Sequence, residues 1–469
     1  MTSAISSQRD TRWTSLYVLC IGMLMIVLDI TVANVALPSI QRDLGFSQSE
    51  LAWVINAYLI AFAGLLLLSG RLGDLFGGKR IFLIGLGVFT ASSLLCGIAW
   101  SAPALVAARF AQGVGGAMAS AVILAMIVTA FPEAGERTRA IGVFSFTASA
   151  GGSIGLLLGG AITQTLGWHW AFLVNVPIGI ITIVLGQRVI VAPPGIGWRN
   201  GADIIGATTI TASLMLGVYA VVSVPVAGIT SPPVIACGVL AFVLFAAFLA
   251  RQLSAKKPLI PLRLFLSRNV GGANVLQMLL SAGLFGFFFL DTLLLRRTLN
   301  YSALETGFAF LPLTITSGAL SLGWAERLVT AFGARRVLIG GSTLAFAGLI
   351  VITLAPSSAN YLASTFPAMM LIGIGMGAAF PPLMLFAMSG TTEADAGVAS
   401  GVLATSSEAG AALGLAVLAT IASIGGFRVA FATATACIAV AIAVAASVLE
   451  RDDASGVIDN KRGNEPESA

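Results

Sequence analysis

The chain has 469 residues, of which 57% are apolar and only 10% are Asp, Glu, Lys or Arg, against about 25% charged in an ordinary soluble domain. Its mean hydropathy is +0.97 and its formal charge +5. These values exclude a soluble globular protein, and the basic residues fall in short gaps between apolar runs, which excludes a nucleic-acid surface.

Runs of roughly 18 to 25 apolar residues suit helices that cross a bilayer. Fourteen such spans are predicted, beginning near Ser15, Leu51, Ile81, Ala104, Ala140, Trp170, Ile204, Pro233, Val270, Ala303, Val337, Tyr361, Gly397 and Phe427. The predicted class is therefore all-α, a polytopic membrane protein. The first run follows Arg9 and Arg12, continues to Leu37, carries Asp29 and lacks a small-residue cleavage site, so it reads as a retained span. With the N-terminus inside, 20 of the 25 Lys and Arg residues fall in cytoplasmic loops. Arg42, Arg296, Arg297 and Arg428 fall outside, and Arg109 falls within a span. Both termini are thus expected in the cytoplasm and the chain in the cell membrane.

Two halves repeat one another. LFGGKRIFLIGLGVFTASSLL after Asp74 resembles AFGARRVLIGGSTLAFAGLI, with Gly77 falling on Gly333, and Gly113 and Gly115 fall on Gly373 and Gly375. The predicted organisation is a six-helix bundle over 1–190, two inserted helices with linkers over 191–269, a second six-helix bundle over 270–449, and a disordered cytoplasmic tail over 450–469. The basic loop from Arg251 to Arg268 reads either as a membrane-surface segment or as a solvated linker.

Several polar features interrupt the apolar pattern. The turn GRLGDLFGGKR, Gly70 to Arg80, combines helix-breaking glycines with charge, and Gly70, Asp74, Gly77, Lys79 and Arg80 together suggest a cytoplasmic gate. Asp74 is expected near the N-terminus of the third span, paired with a basic residue of a neighbouring loop. The second-half turn ERLVTAFGARR has Thr330 in that place, which makes the gate asymmetric. Asp29, within LDITVANVALP, and Arg109, within RFAQGVGGA, are ionisable groups inside spans, where a charge is costly and marks function. They lie at similar depth on antiparallel helices, which makes contact between them possible. Gly113, and Gly151, Gly155, Gly159 and Gly160 of GGSIGLLLGG, permit close helix packing. Glu408 sits about 16 Å from the inner end of its span, a candidate for binding a proton or a cation. Asp291 is expected at the outer mouth, answered by Arg296 or Arg297. His169 lies among aromatic residues at a span end.

These motifs resemble those of the fourteen-helix drug/proton antiporter branch of the major facilitator superfamily. The resemblance implies two rocking bundles, alternating access, and export of hydrophobic or cationic toxic compounds coupled to proton entry. Asp29, Arg109 and Glu408 would carry the coupling, and Asp29, Asn34 and Glu408 would face the substrate. The resemblance places the glycines of GGSIGLLLGG between the halves. Leu156 stands where that motif has proline, which keeps a proton-coupled importer or facilitator of a small metabolite as the alternative. The expected partners are substrate, protons and lipid, for a monomer without enzyme activity. Neither a cofactor nor a metal is expected: His169 stands alone, and Cys20, Cys96, Cys237 and Cys437 show no ligand spacing. No GxxxxGK[ST] sequence is present to support ATP drive.

Overall fold

In hydrocarbon every backbone N–H and C=O must be satisfied within its own segment, and the apolar runs accordingly fold as helices. The computed structural model describes residues 2–46, 48–51, 53–191, 195, 197, 203–255, 267–355, 360–389, 391 and 395–449. The first half contains α1 (Thr2–Leu44), α2 (Gln48–Leu51), α3 (Trp53–Phe76), α4 (Gly78–Gly97), α5 (Ala102–Ala130), α6 (Ala134–Thr165), α7 (His169–Leu173) and α8 (Asn175–Val189). Then come α9 (Ile204–Ala227) and α10 (Pro232–Ser254). The second half holds α11 (Arg268–Arg297), α12 (Ala303–Ala309), α13 (Leu311–Gly323), α14 (Ala325–Phe332), α15 (Ala334–Leu354), α16 (Thr365–Ala387) and α17 (Ala396–Val448). No strand occurs among the described residues.

Among those residues twelve helical segments are long and apolar enough to cross a membrane. Helix α9 and the part of α17 before Gly426 are further apolar helical segments at two positions where the sequence predicts spans. Gly426, at φ 79°, breaks α17 in two, a conformation an L-residue with a Cβ rarely adopts. The expected tail over 450–469 and most of the loop from Arg251 to Arg268 lie outside the described residues.

The repeat is visible in packing. Gly77 and Gly333 both turn the chain at positive φ, 93° and 86°, immediately before α4 and α15. A Cβ on Gly85 would stand 2.6 Å from the Ala119 nitrogen, and one on Gly341 would stand 2.9 Å from that of Ala379. Thus α4 crosses α5, and α15 crosses α16, at equivalent glycine contacts where backbones meet directly. Gly115→Val would drive a branched side chain into the backbone of Phe89. We expect a loss of roughly 1–3 kcal/mol or more, read as a lower melting temperature of the detergent-solubilised protein.

Within the first half, α1 packs on α6 and α3 on α5; within the second, α11 packs on α17 and α13 on α16. The halves meet through α3 against α17 and α6 against α13. Helix α9 lies against α3 and α17, with Leu67, Ala207, Ile210, Phe248 and Val398 forming one buried cluster. Asp203 caps the start of α9 through the Gly206 N–H at 3.0 Å and receives Arg251 and Gln252 of α10 at 3.1 Å each, which fastens the two inserted helices together.

Two local expectations change. Pro38 does not end the first helix, which runs on to Leu44, and the Arg42 Nε donates to the Pro38 carbonyl. Gly151, Gly155 and Gly159 pack against Val27, Thr31 and Val32 of α1, so they serve a contact inside the first half and not one between halves. A Cβ on Gly160 would meet nothing within 4 Å. The close approach of α6 to the other half occurs at Gly142, against the Ser321 carbonyl.

Candidate functional site

Five elements bring polar side chains into the interior of the first half. Asp29 comes from α1, Val54 and Tyr58 from α3, Ser93 from α4, Arg109 and Gln112 from α5, and Asn175 from the start of α8. Arg109 Nη1 meets Asp29 Oδ2 at 2.5 Å, and both side chains are fully buried. Helices α1 and α5 thus meet at the depth the sequence predicts. The rest of the shell is hydrogen bonded around this pair. The Arg109 Nε donates to the Val54 carbonyl at 2.9 Å and Nη1 to Gln112 Oε1 at 2.6 Å. Gln112 Nε2 and Asn175 Nδ2 both donate to Asp29 Oδ1, at 2.7 and 2.9 Å, and Gln112 also reaches the Ser93 hydroxyl at 2.7 Å.

An arginine stays charged, so burying it is tolerable only because the carboxylate and these acceptors replace water. The guanidinium lies 4.5 Å from the centre of the Tyr58 ring and 5.6 Å from that of Phe172. Cation–π attraction adds to the pair on that side. Two groups are left without hydrogen-bond partners among the described residues, Arg109 Nη2 and the Tyr58 hydroxyl. The network is therefore held tightly on the Asp29 side and loosely on the Tyr58 side.

Gln112, Ser93, Asn175 and Tyr58 were not expected at the site. Gln112 was legible, three residues beyond Arg109 in the same motif and hence on the same helix face. Asn175 and Ser93 carry only the weaker signal of polar residues inside apolar runs, and Tyr58 carries none.

The residues of the Gly70–Arg80 turn are placed differently from expectation. Asp74 ends α3 and does not start α4; its carboxylate accepts the backbone N–H groups of Gly397 at 2.7 Å and Val398 at 3.0 Å. The carboxylate does sit at a helix N-terminus, but that helix is α17 of the other half. Among the described residues Arg71 is the cation that answers it, at 4.0 Å on the same helix. The close approach requires glycine on both sides, because a Cβ on Gly70 would overlap the Gly397 carbonyl and one on Gly397 would overlap Asp74. Lys79 donates to the Gln187 carbonyl at 2.8 Å, tying α4 to α8, and Arg80 is exposed.

The remaining candidates are dispersed. Glu408 is half-buried on α17, next to Ser407, which is hydrogen bonded to Gln277 at 3.0 Å and Ser281 at 3.0 Å. Asn34 is exposed and turns its amide back to the Ile30 carbonyl at 2.8 Å, away from the Asp29 network. Asp291 is fully buried and accepts the Thr365 hydroxyl at 3.3 Å; of the two partners expected for it, Arg296 is exposed, and the side chain of Arg297 is not among those described. Five residues along a helix turn the side chain about 140° around the axis, which separates the two faces. His169 stacks on Trp168 at 3.9 Å, and Trp168 donates to Asp43 at 2.8 Å, which makes this a fastening of a helix end.

A helical, multi-pass membrane protein with repeated halves, an ion pair inside one and a polar lock between them has the construction of a secondary transporter. The family model described as Major Facilitator Superfamily matches residues 19–415, with a second match over 275–468. The chain belongs to that superfamily. It is 38% identical to the cephamycin export protein of Amycolatopsis lactamdurans, over 90% of this chain and 87% of that one. It is also 38% identical to a puromycin resistance protein of Streptomyces alboniger, over 90% and 84%. Among solved structures, the human organic anion transporter TETRAN superposes with a TM-score of 0.69 at 16% identity, covering 92% of this chain and 99% of that one. A proton:xylose symporter gives 0.67 at 13% identity, over 93% and 95%. At these identities the structures speak for the fold alone.

Proposed function

We propose that the chain is a fourteen-span, proton-coupled exporter of hydrophobic or cationic antibiotics and other toxic compounds, working by alternating access in the cell membrane with both termini cytoplasmic. The observation that carries this reading is the buried Asp29–Arg109 pair in the first half, combined with relatives whose names describe antibiotic export and resistance. The pair supplies a buried carboxyl and a fixed positive charge, and their contact must open before the carboxyl can meet water or a proton donor. The Asp74 lock supplies a contact that must break for the cytoplasmic side to open. The division into bundles over 1–190 and 270–449 flanking the inserted helices belongs to the same proposal. The direct test is efflux from loaded proteoliposomes: export of a cationic dye should follow an imposed proton gradient and stop when the gradient is collapsed.

Glu408 enters as the group that sets substrate charge. It receives no cation of its own among the described residues, so a positively charged substrate would find an unanswered carboxylate. Glu408→Gln is expected to lower transport of monovalent cations by about tenfold, the loss of roughly 1.4 kcal/mol of attraction, and to leave neutral compounds nearly unchanged. Competition transport with a cationic and a neutral substrate checks this, and an equal loss for both would remove charge selection from Glu408.

A further inference from the structure

Helices α1 and α5 are repeated by α11 and α16, and both pairs bury an aspartate where they meet. In the first pair Asp29 receives Arg109. In the second, Asp291 of α11 receives only the Thr365 hydroxyl at the start of α16. Met369, 260 residues beyond Arg109 at the spacing that relates Gly113 to Gly373, is fully buried and apolar. The second half therefore keeps a carboxyl and lacks the base.

The surroundings of Asp291 are specific. Its side chain is fully buried and Oδ2 has no hydrogen-bond partner among the described residues. No Lys, Arg or His among the described residues forms an ion pair with it. Its titratable neighbours are Tyr361 and, behind it, Tyr301, whose rings lie 6.1 Å apart; Tyr361 donates to the Ala309 carbonyl at 2.8 Å. On the flanking elements Arg296 of α11 and Arg428 of α17 are exposed, and α16 offers only Thr365.

The position along the bundle is fixed by helix contacts. Gly410 packs on Met278, Gly414 on Ala282 and Leu418 on Gly286, so α11 and α17 run parallel. The start of α17 is held by Asp74, which puts Asp291, roughly 35 Å along α11, at the opposite end from that lock. By the distribution of Lys and Arg this is the outer end. An ionised carboxylate in this place would face an apolar interior with one hydroxyl for company, whereas a protonated one satisfies its second oxygen by carrying its own hydrogen. Full burial leaves room for a proton and none for a drug.

We propose that Asp291 is a second proton-binding carboxyl, protonated while buried between α11 and α16 and deprotonated when the outer ends of these helices part. Its role in coupling rests on the reading of the chain as a proton-driven exporter; its protonation does not. The test is infrared difference spectroscopy of the purified protein in lipid nanodiscs at neutral pH. The wild type should show a protonated-carboxyl band that is lost in Asp291→Asn, shifted in Thr365→Val through the lost hydrogen bond, and retained in Asp29→Asn. Asparagine keeps the size and the acceptor, and the valine variant reads the same carboxyl if the asparagine protein fails to fold. A wild-type spectrum that superimposes on that of Asp291→Asn, with no effect of Thr365→Val, overturns the proposal. Proteoliposome export measured in parallel separates the two readings: export indifferent to a collapsed gradient, with the band present, removes proton coupling and leaves Asp291 as a protonated site.

Discussion

Arg109→Ala is expected to be the most damaging single change in the first half. It deletes the cation that compensates Asp29 and leaves a carboxylate buried with only the Gln112 and Asn175 amides as donors. Breaking a buried pair from one side costs about 3–5 kcal/mol, enough to lower the melting temperature. Gradient-driven export should be abolished. Asp29→Asn preserves the volume and one acceptor, and the guanidinium, which stays charged, retains the Val54 carbonyl, Gln112 and the Tyr58 ring. This variant should lose gradient-driven export and keep part of substrate binding and exchange. The decisive measurement compares gradient-driven efflux with substrate exchange at zero gradient in the same vesicles. Full proton-driven transport by Asp29→Asn would transfer the coupling role to Glu408.

Asp74→Asn should be the most damaging change at the interface between halves. Two N–H groups at the start of α17 share one carboxylate, and hydrogen bonds to a charged group contribute about 1.5–3 kcal/mol each. The amide accepts with one oxygen and brings two hydrogens toward a helix end that repels them, so at least one bond and the charge are lost. A loss of about 2 kcal/mol shifts the balance between closed and open cytoplasmic sides roughly 30-fold. Turnover should fall while the amount of protein reaching the membrane stays unchanged. Labelling of a cysteine introduced on the cytoplasmic face of α3 should rise at the same time. Normal turnover with unaltered labelling would show that this contact does not hold the gate. Gly77→Val is expected to act in the same direction through backbone strain, since Gly77 turns at φ 93° directly beneath Asp74.

The two sites were legible in the sequence to different degrees, for reasons of range. Asp29 and Arg109 stand out because an ionisable residue inside a span is rare and must find a partner, and their depths could be counted from the span ends at a fixed rise per residue. Their equal depth made contact possible, and the tertiary structure brings them together. Gln112, three residues on from Arg109, carried a usable signal in its helical spacing, although it was not singled out. Asn175 and Tyr58 did not, because nothing local distinguishes them from other polar or aromatic residues in an apolar run. Asp74 shows the limit from the other side. Its preference for a helix N-terminus is a local property, but two N-termini compete for it, and α17 wins over α4 because α3 carries the carboxylate toward the opposite half.

Composition and hydropathy alone determined the all-helical membrane class, because backbone hydrogen bonding in hydrocarbon leaves a chain so rich in long apolar runs little alternative to helices. The repeat was likewise written in the sequence, since its marks are glycines at backbone contacts, where no other residue fits. Which helix each face meets was decided only by the tertiary structure. The glycines of GGSIGLLLGG pack on α1 because a small-residue stripe is complementary to any close neighbour and names none. Asp291 turned out buried for a similar reason: sequence distance to Arg296 is short, but the helix points the two side chains to different faces, and among the described residues the interior of the second half offers it the Thr365 hydroxyl.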